Sequence, residues 1–129
     1  QPALIAPGAS VVNSLVYNGC EVEGTVRNSI LFPGVKVGRG ALIEDSVIFF
    51  NNLIGDNCTI RKTIADVNTA YGDGVEVGAE LGDSAQDITV IGWNNRVPDN
   101  TRIGQGVTVS PQLESDSWSA MVESGRVLR

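Results

Sequence analysis

The chain repeats itself at two lengths at once, and this double period constrains its fold more than any other feature. Four short words align in the first half, and the last three recur at equal intervals of about 17 residues. The words are Val12–Leu15, Arg27–Ile30, Glu44–Val47 and Arg61–Ile64. A finer period of six is clearest late in the chain, at Ile91, Val97, Ile103 and Val109. A period of six fits neither an amphipathic helix nor a sheet of long hairpins.

A hexad has room for a strand of about three or four residues and a tight corner. Three such sides make one coil of about 17 residues, which is the longer period. The two periods therefore predict an all-β fold, a single-stranded, triangular parallel β-helix of about six coils that is stabilised by stacking. Aliphatic residues at the first hexad position should point inward. So should the small residues at the fifth position, which are Cys20, Val35, Ala41, Cys58, Thr69 and Val75.

The whole chain, residues 1–129, is predicted to be one β-helix domain with coils at about 5–78 and 88–109. Residues 79–87 break the phase and are predicted to form a loop inserted between coils. The tail, residues 110–129, is predicted to cap the open end, because an uncapped coil would be an exposed sheet edge. The coil at Val22–Val26 is two residues shorter than the next one. The start at Gln1 without Met suggests a fragment of a longer protein.

Composition argues against several classes of function. A formal net charge of −6 argues against nucleic-acid binding, because a phosphate backbone needs a basic patch. No apolar run approaches the roughly 18 residues that a membrane-spanning helix needs. The glycines of Gly38–Gly40 and Gly72–Gly74 resemble phosphate-binding loops, but they recur at the corner phase of the repeat, without the strand and helix that such loops require. They are therefore predicted to be corners.

The two cysteines, Cys20 and Cys58, fall on different faces and two coils apart in this register. They are too far apart for a disulfide and are predicted to be buried free thiols in a reducing compartment. Neither lies near a second ligand, so no metal site is predicted. No catalytic or cofactor-binding residue is identified in this chain.

Stacked coils place charged residues in columns. Arg27, Glu44 and Arg61 form one column, and Asn28, Asp45 and Lys62 form the next. Alternating signs favour a solvated ladder of charge pairs. The sharper alternative is an anion or effector contact, which would use residues from the set Arg27, Lys36, Arg39, Arg61 and Lys62.

An apolar column marks one outer corner. Phe32 and Phe49 follow inward positions in successive coils, and Phe50 and Val67 occupy the next column, so these side chains should point outward. A subunit or domain interface is the predicted role, because large exposed apolar patches mark such contacts. The alternative is that Trp118 or the inserted loop covers them. A one-residue slip nearby leaves open whether Asn52 or Leu53 points inward.

The hexad pattern resembles the left-handed β-helix of hexapeptide-repeat proteins. Many of those are acyltransferases and some are carbonic anhydrases, and both use histidine, which this chain lacks. A closer resemblance covers residues 9 to about 78. The segments that carry it are Asn13–Val16, Gly19–Gly24, Asn28–Phe32 and Val35–Gly38. They look like the C-terminal domain of bacterial glucose-1-phosphate adenylyltransferase (ADP-glucose pyrophosphorylase) or its glycogen-synthesis paralogue. The short coil at Glu23–Val26 falls where that family also has one.

This resemblance implies a non-catalytic assembly and regulatory domain. The parent enzyme would make ADP-glucose from ATP and glucose 1-phosphate with Mg²⁺, in the cytoplasm, for glycogen synthesis. The partners it implies are the chain's own N-terminal nucleotidyltransferase domain and other subunits, generally in a tetramer, with phosphorylated effectors near the domain junction. Three alternatives stay open: another sugar-1-phosphate nucleotidyltransferase of the GDP-mannose or UDP/dTDP-glucose type, an inactive scaffold paralogue, and a histidine-free acyltransferase.

Overall fold

A computed structural model describes residues 2–79 and 87–129, and it shows three parallel sheets wound into a solenoid. Sheet A contains β1 (Leu4–Ile5), β4 (Glu21–Val22), β7 (Lys36–Val37), β10 (Leu53–Ile54), β13 (Ala70–Tyr71) and β16 (Arg96–Val97). Sheet B contains β2 (Ser10–Val12), β5 (Thr25–Arg27), β8 (Leu42–Glu44), β11 (Thr59–Arg61), β14 (Glu76–Ala79), β17 (Arg102–Gly104) and β19 (Met121–Val122). Sheet C contains β3 (Leu15–Val16), β6 (Ile30–Leu31), β9 (Val47–Ile48), β12 (Thr63–Ala65), β15 (Thr89–Ile91), β18 (Thr108–Val109) and β20 (Val127–Leu128).

The chain visits sheets A, B and C in turn, so three successive strands make one coil and each strand pairs with its equivalent in the next coil. At the corner between sheets B and C, the Ser29 hydroxyl accepts the backbone N–H of Ser46, its equivalent 17 residues later in the next coil. In the same way, the Ser14 hydroxyl in the first coil accepts the backbone N–H of Ser29, and these two residues are only 15 apart in sequence. The parallel β-helix, its regular coil length and its one short coil are therefore confirmed.

The interior is the single aliphatic core that the hexads predict. In the second to sixth coils, residues at the first hexad position are buried, among them Leu31, Ile43 and Ile60. The six small residues predicted at the fifth position are buried too, from Cys20 to Val75. Strand alternation explains this, because a side chain on one side of each strand faces the axis and its neighbour faces solvent.

The repeated word is explained by a hydrogen-bond ladder at the corner between sheets B and C. The Ser46 hydroxyl donates to the Glu44 carbonyl oxygen at 2.8 Å and accepts the N–H of Thr63, in the next coil, at 3.1 Å. Ser29 makes the same two bonds, to Arg27 and Ser46. The residue before each hydroxyl has a positive φ, for example 52° at Asp45. Such a backbone turn suits Asn and Asp, which explains their place in the word.

The shorter coil closes through Gly24. A β-carbon on this residue would meet the carbonyl oxygens of Ala41 and Gly38, so only glycine lets the shortened corner lie against the coil above it.

Asn52, not Leu53, points inward. Asn52 is fully buried and Leu53 is 48% exposed. The Asn52 amide donates to the carbonyl oxygens of Phe49 and Asp66, both at 2.8 Å. Asn95 makes two equivalent bonds further along the solenoid. In both coils an inward amide therefore donates to two corner carbonyl oxygens.

The predicted position of the inserted loop, residues 79–87 between two coils, needs correction. Ala79 belongs to β14 and sheet C resumes at Thr89, so the insertion lies at the B–C corner within the fifth coil and not between coils. Strand pairing continues on both sides of the insertion, with a register shift between Val77 and Ala79 where β14 pairs with β17. Residues 80–86 of the predicted 79–87 loop lie outside the described residues.

The tail does lie over the last complete coil, but as further strands. After a 3₁₀ turn at Ser115–Ser117, β19 pairs with β17 and β20 pairs with β18. The strands of the described residues therefore make six coils and an incomplete seventh. Within residues 2–79 and 87–129, no helix is long and apolar enough to cross a membrane.

Candidate functional site

Four aromatic rings gather at the corner between sheets C and A. The Phe32 ring centroid lies 5.4 Å from that of Tyr17, 4.9 Å from that of Phe49 and 5.4 Å from that of Phe50. Each ring follows the inward residue that ends a strand of sheet C, or comes one position later. Phe50 and Tyr17 remain 43% and 42% exposed, while Phe32 and Phe49 are half-buried beneath their neighbours. We call these four residues the aromatic corner.

An aliphatic ladder on the outer side of sheet C borders the aromatic corner. It consists of Leu15, Ile30, Val47, Ile64 and Val90, which pair in register from coil to coil. Because each ladder residue precedes the inward residue of its strand, it faces solvent on the same side as the ring two positions later. In the first three coils the ladder and the aromatic corner together form one surface, which we call the apolar face.

The sequence located part of this face. Phe32, Phe49 and Phe50 were expected on one outer corner and lie there together, and Val67 is half-buried one coil beyond Phe50. Tyr17 and the aliphatic ladder were missed. The signal was available, because the first four ladder residues are the last letters of the four repeated words, directly after an inward hydroxyl.

The apolar face is not covered by the tail. Trp118 packs against the core beyond the sixth coil, whereas Phe32, Phe49 and Phe50 lie in the second and third coils. The loop alternative concerns residues outside the described part of the chain. Its described flanks, Ala79 and Asp87, lie at the B–C corner, which is not the corner that holds the rings.

The candidate effector cations do not form one site. Arg27 and Arg61 both pair with Glu44, at 3.7 and 3.4 Å, as the column prediction required. Lys62 follows at the B–C corner with a positive φ of 47°.

The other two candidate cations lie elsewhere. Lys36 pairs with Glu21 at 3.2 Å on sheet A, and Arg39 pairs with Glu23 at 3.7 Å at the A–B corner. Each of these four side chains, Arg27, Arg61, Lys36 and Arg39, therefore pairs with a carboxylate, and the solvated ladder describes the Arg27–Glu44–Arg61 column.

The buried titratable groups are held neutral. Burial raises the pKa of the Cys20 and Cys58 thiols, and each thiol donates to a carbonyl oxygen, Phe32 at 3.2 Å and Gly72 at 3.0 Å. Burial likewise raises the pKa of the Tyr71 phenol well above its ordinary value. A thiol is reactive as thiolate, so these cysteines are structural.

Comparison with known proteins gives the family. Residues 6–92, more than half of the chain, match the family described as GlmU-like, C-terminal hexapeptide. The chain belongs to this hexapeptide family. The resemblance to the hexapeptide-repeat fold is thereby confirmed.

Named relatives agree with the closer resemblance. The chain is 37% identical over 131 residues to glucose-1-phosphate adenylyltransferase of Acetivibrio thermocellus, covering 95% of this chain and 31% of the relative. It is 38% identical over 138 residues to the enzyme of that name from Thermotoga maritima, covering 96% and 31%. The relative from Desulforamulus reducens is 41% identical over 100 residues, covering 75% and 25%. The chain thus spans about a third of the length of the relatives that it matches.

A solved structure supports the fold. The acetyltransferase domain of PglB from Neisseria gonorrhoeae, in complex with acetyl coenzyme A, superposes with a TM-score of 0.55. The two chains are 16% identical, and the match covers 98% of this chain and 53% of that one. At this identity the likeness concerns the solenoid architecture and not the chemistry.

Proposed function

We propose that this chain is the non-catalytic C-terminal assembly and regulatory domain of a sugar-1-phosphate nucleotidyltransferase. The parent would be a glucose-1-phosphate adenylyltransferase that makes ADP-glucose from ATP and glucose 1-phosphate for glycogen synthesis, in the cytoplasm. The names of the three relatives and the one-third coverage support this proposal. The same names favour ADP-glucose over the product of a GDP-mannose or UDP/dTDP-glucose type of enzyme.

The apolar face is the observation that carries an assembly role. The three ladder residues of the apolar face span two coil spacings, about 10 Å along the solenoid. With the aromatic corner beside them they offer the apolar centre of an interface, and large exposed apolar patches mark such contacts. A stable interface buries about 800 Å² on each partner, so a polar rim around this face would complete it.

Catalysis would belong to the preceding nucleotidyltransferase domain. The chain contains no histidine, and its buried thiols and phenol are held neutral. Mg²⁺, expected for the parent reaction, would bind in that domain as well, because the described residues contain no group of three acidic, Cys or His side chains placed as ligands.

The activity is tested on the full-length parent by measuring pyrophosphate release from glucose 1-phosphate with each nucleoside triphosphate in turn. The isolated chain, without the preceding domain, is the blank. A strong preference for ATP is expected. Preference for another nucleotide would move the assignment to a sister enzyme, and no turnover would favour the inactive scaffold.

Assembly is tested with Phe49→Asp and Phe50→Asp in the parent. A carboxylate at the centre of an apolar contact would be desolvated without a partner, so the mass measured by light scattering should fall to that of a smaller assembly. Met121→Asp is the matched control, because Met121 is 48% exposed on sheet B, away from the face. An unchanged mass for both phenylalanine variants would contradict the interface.

The five cations remain candidate contacts for a phosphorylated effector. Arg39 is more accessible than Arg27, Lys36 and Arg61, with 85% of its side chain exposed. We expect Arg39→Ala to raise the concentration of sugar phosphate needed for half-maximal activation of the parent by about tenfold, the scale of one charged contact. Arg126→Ala, which removes a tail cation paired with Glu123, should leave it unchanged. Equal shifts in both variants would speak against a site at Arg39.

A further inference from the structure

The outer column of charged residues on sheet B stops at Arg61. Arg27 pairs in register with Glu44, and Glu44 pairs with Arg61. In the next coil, the position after the last pair between β11 and β14 is Gly78, which has no side chain. A β-carbon at Gly78 would meet the carbonyl oxygen of Arg61, and the φ of this residue is 84°, so the corner requires glycine. The charged column therefore ends at a gap.

A cleft of about 340 Å³ opens at this gap, near the corner between sheets B and C. Its lining belongs entirely to the described part of the chain and consists of Arg61, Glu76, Gly78, Arg102 and Gln105. The strands that carry the two arginines, β11 and β17, lie two coil spacings apart, about 10 Å. The volume is near the lower end of the range for ligand pockets, about 300–1,000 Å³, so the cleft suits a small ligand.

Gln105 is fixed by its backbone but offers an unpaired amide side chain. Its N–H donates to the Ala79 carbonyl oxygen, and its own carbonyl oxygen accepts the N–H of Gly125, both at 2.9 Å. The residue is only 7% exposed, yet its side-chain amide has no hydrogen-bond partner among the described residues. The buried amides of Asn52 and Asn95, by contrast, donate to corner carbonyl oxygens. A ligand that bonds to the Gln105 amide would therefore satisfy a buried polar group.

The two arginines also keep donors for a ligand. Arg102 Nε donates to Glu76 Oε1 at 3.0 Å, and Arg61 Nε lies 3.4 Å from Glu44 Oε1. Within residues 2–79 and 87–129, neither guanidinium group makes a hydrogen bond through its Nη atoms. Each of these side chains is about half exposed. Terminal N–H groups of a guanidinium match the spacing of oxygens in carboxylate and phosphate groups.

The charge around the cleft favours an anion. The ion-paired cluster contains three arginines, Arg27, Arg61 and Arg102, and two carboxylates, Glu44 and Glu76. This cluster keeps a positive charge although the whole chain has a formal net charge of −6. Its donors come from β11, from β17 and from the corner after β17. Several separate donors are better matched by the oxygens of a phosphate group than by a planar carboxylate.

We propose that this cleft binds a phosphate group, either as the free ion or as the ester of a small metabolite, with Arg61, Arg102 and Gln105 as donors. Glu76 would hold the Arg102 guanidinium in place through its bond to Nε. The site adds two residues that the sequence did not single out, and Arg61 is the one candidate cation of the earlier set that lines it. The proposal does not depend on the activity of the parent, because it concerns binding by residues of this chain.

Protection from arginine modification tests the site in the full-length parent. Phenylglyoxal modifies exposed guanidinium groups, and peptide mass spectrometry gives the rate at each arginine. Arg27 is the matched control, because it pairs with the same Glu44 as Arg61 and is similarly exposed, 53% against 48%, but does not line the cleft. Potassium chloride at equal ionic strength controls for screening.

Inorganic phosphate is the first probe. At a concentration about ten times its dissociation constant, modification of Arg61 and Arg102 should slow about tenfold, since only the unoccupied fraction reacts. Modification of Arg27 should keep its rate. Unchanged rates at Arg61 and Arg102, or equal slowing at all three arginines, would overturn the proposal.

A second probe and one variant define the ligand and the role of the amide. Glycerol 3-phosphate that protects at a lower concentration than inorganic phosphate would identify an ester as the ligand, and the reverse order would identify the free ion. Gln105→Leu should raise the half-protecting concentration about tenfold, because one hydrogen bond to a charged group is lost. An unchanged value would contradict the site as described. The rates are independent of turnover, so this inference and the proposed function can fail separately.

Discussion

Replacement of Ser46 by alanine should break one rung of the hydrogen-bond ladder and leave the rest of the coil in place. The Ser46 hydroxyl is the partner of the Thr63 N–H, at 3.1 Å, and Thr63 is almost fully buried. The hydroxyl also donates to the Glu44 carbonyl oxygen, but that oxygen accepts the N–H of Lys62 as well, at 3.1 Å. The substitution therefore orphans one buried backbone donor and no acceptor.

The cost follows from that count. A buried backbone donor without a partner costs about 1–3 kcal/mol, and the void left by one oxygen atom adds little. For a domain of this size the melting temperature changes by about 4 °C per kcal/mol, so Ser46→Ala should lower it by about 4–12 °C.

The assay combines thermal unfolding with amide hydrogen exchange. The Thr63 amide should exchange faster in Ser46→Ala than in the unsubstituted chain. The exchange rates of amides on sheet A should change only as far as the global stability changes. Ser46→Thr is the matched control, because it keeps the hydroxyl and the next rung of the column is already a threonine. An equal decrease in melting temperature in the two variants, or no decrease in Ser46→Ala, would refute the reasoning.

Two further predictions concern the buried titratable groups. The Tyr71 hydroxyl is buried and has no hydrogen-bond partner among the described residues, so Tyr71→Phe should raise the free energy of unfolding by about 1 kcal/mol in urea titrations, and a loss of stability would contradict this. Burial raises the pKa of Cys20, Cys58 and Tyr71. In the unfolded chain the pKa is about 8.5 for a thiol and about 10 for the phenol, and below these values all three groups are neutral in both states. Above these values the unfolded chain loses protons that the folded chain keeps, which favours unfolding. The urea midpoint should therefore fall steadily from about pH 8.5 to pH 11. A flat profile would count against neutral buried groups.

The sequence predicted the coil because a coil is a local object. The period of six placed Leu31 and Ile43 inward and the glycines of Gly38–Gly40 at a corner without reference to any distant residue. The longer period was enough to put Arg27, Glu44 and Arg61 in one column, since stacked coils repeat at a fixed rise. The separation of the two cysteines followed from the same register, and both are free thiols.

Prediction was weaker where the chain leaves the period. The repeat could not tell whether Asn52 or Leu53 points inward. Asn52 does so, and its amide donates to two corner carbonyl oxygens. The tail was expected as a cap because its letters do not follow the hexad, yet Met121 and Val127 extend the ladders of β17 and β18. An irregular sequence can still pair as a strand here, because the edge of the neighbouring strand offers unpaired N–H and C=O groups.

What the sequence determined by itself is therefore the shape of the repeating unit and its interior. The period decides which side chains point inward within a coil, and that choice needs only strand alternation. The tertiary structure alone decided which outer columns adjoin. Phe32 lies between Tyr17 and Phe49 only because the short coil and the regular coil after it keep their registers as they stack. Contacts between coils depend on every residue between them, so one short coil or one inserted corner would move them while the inward pattern stays the same.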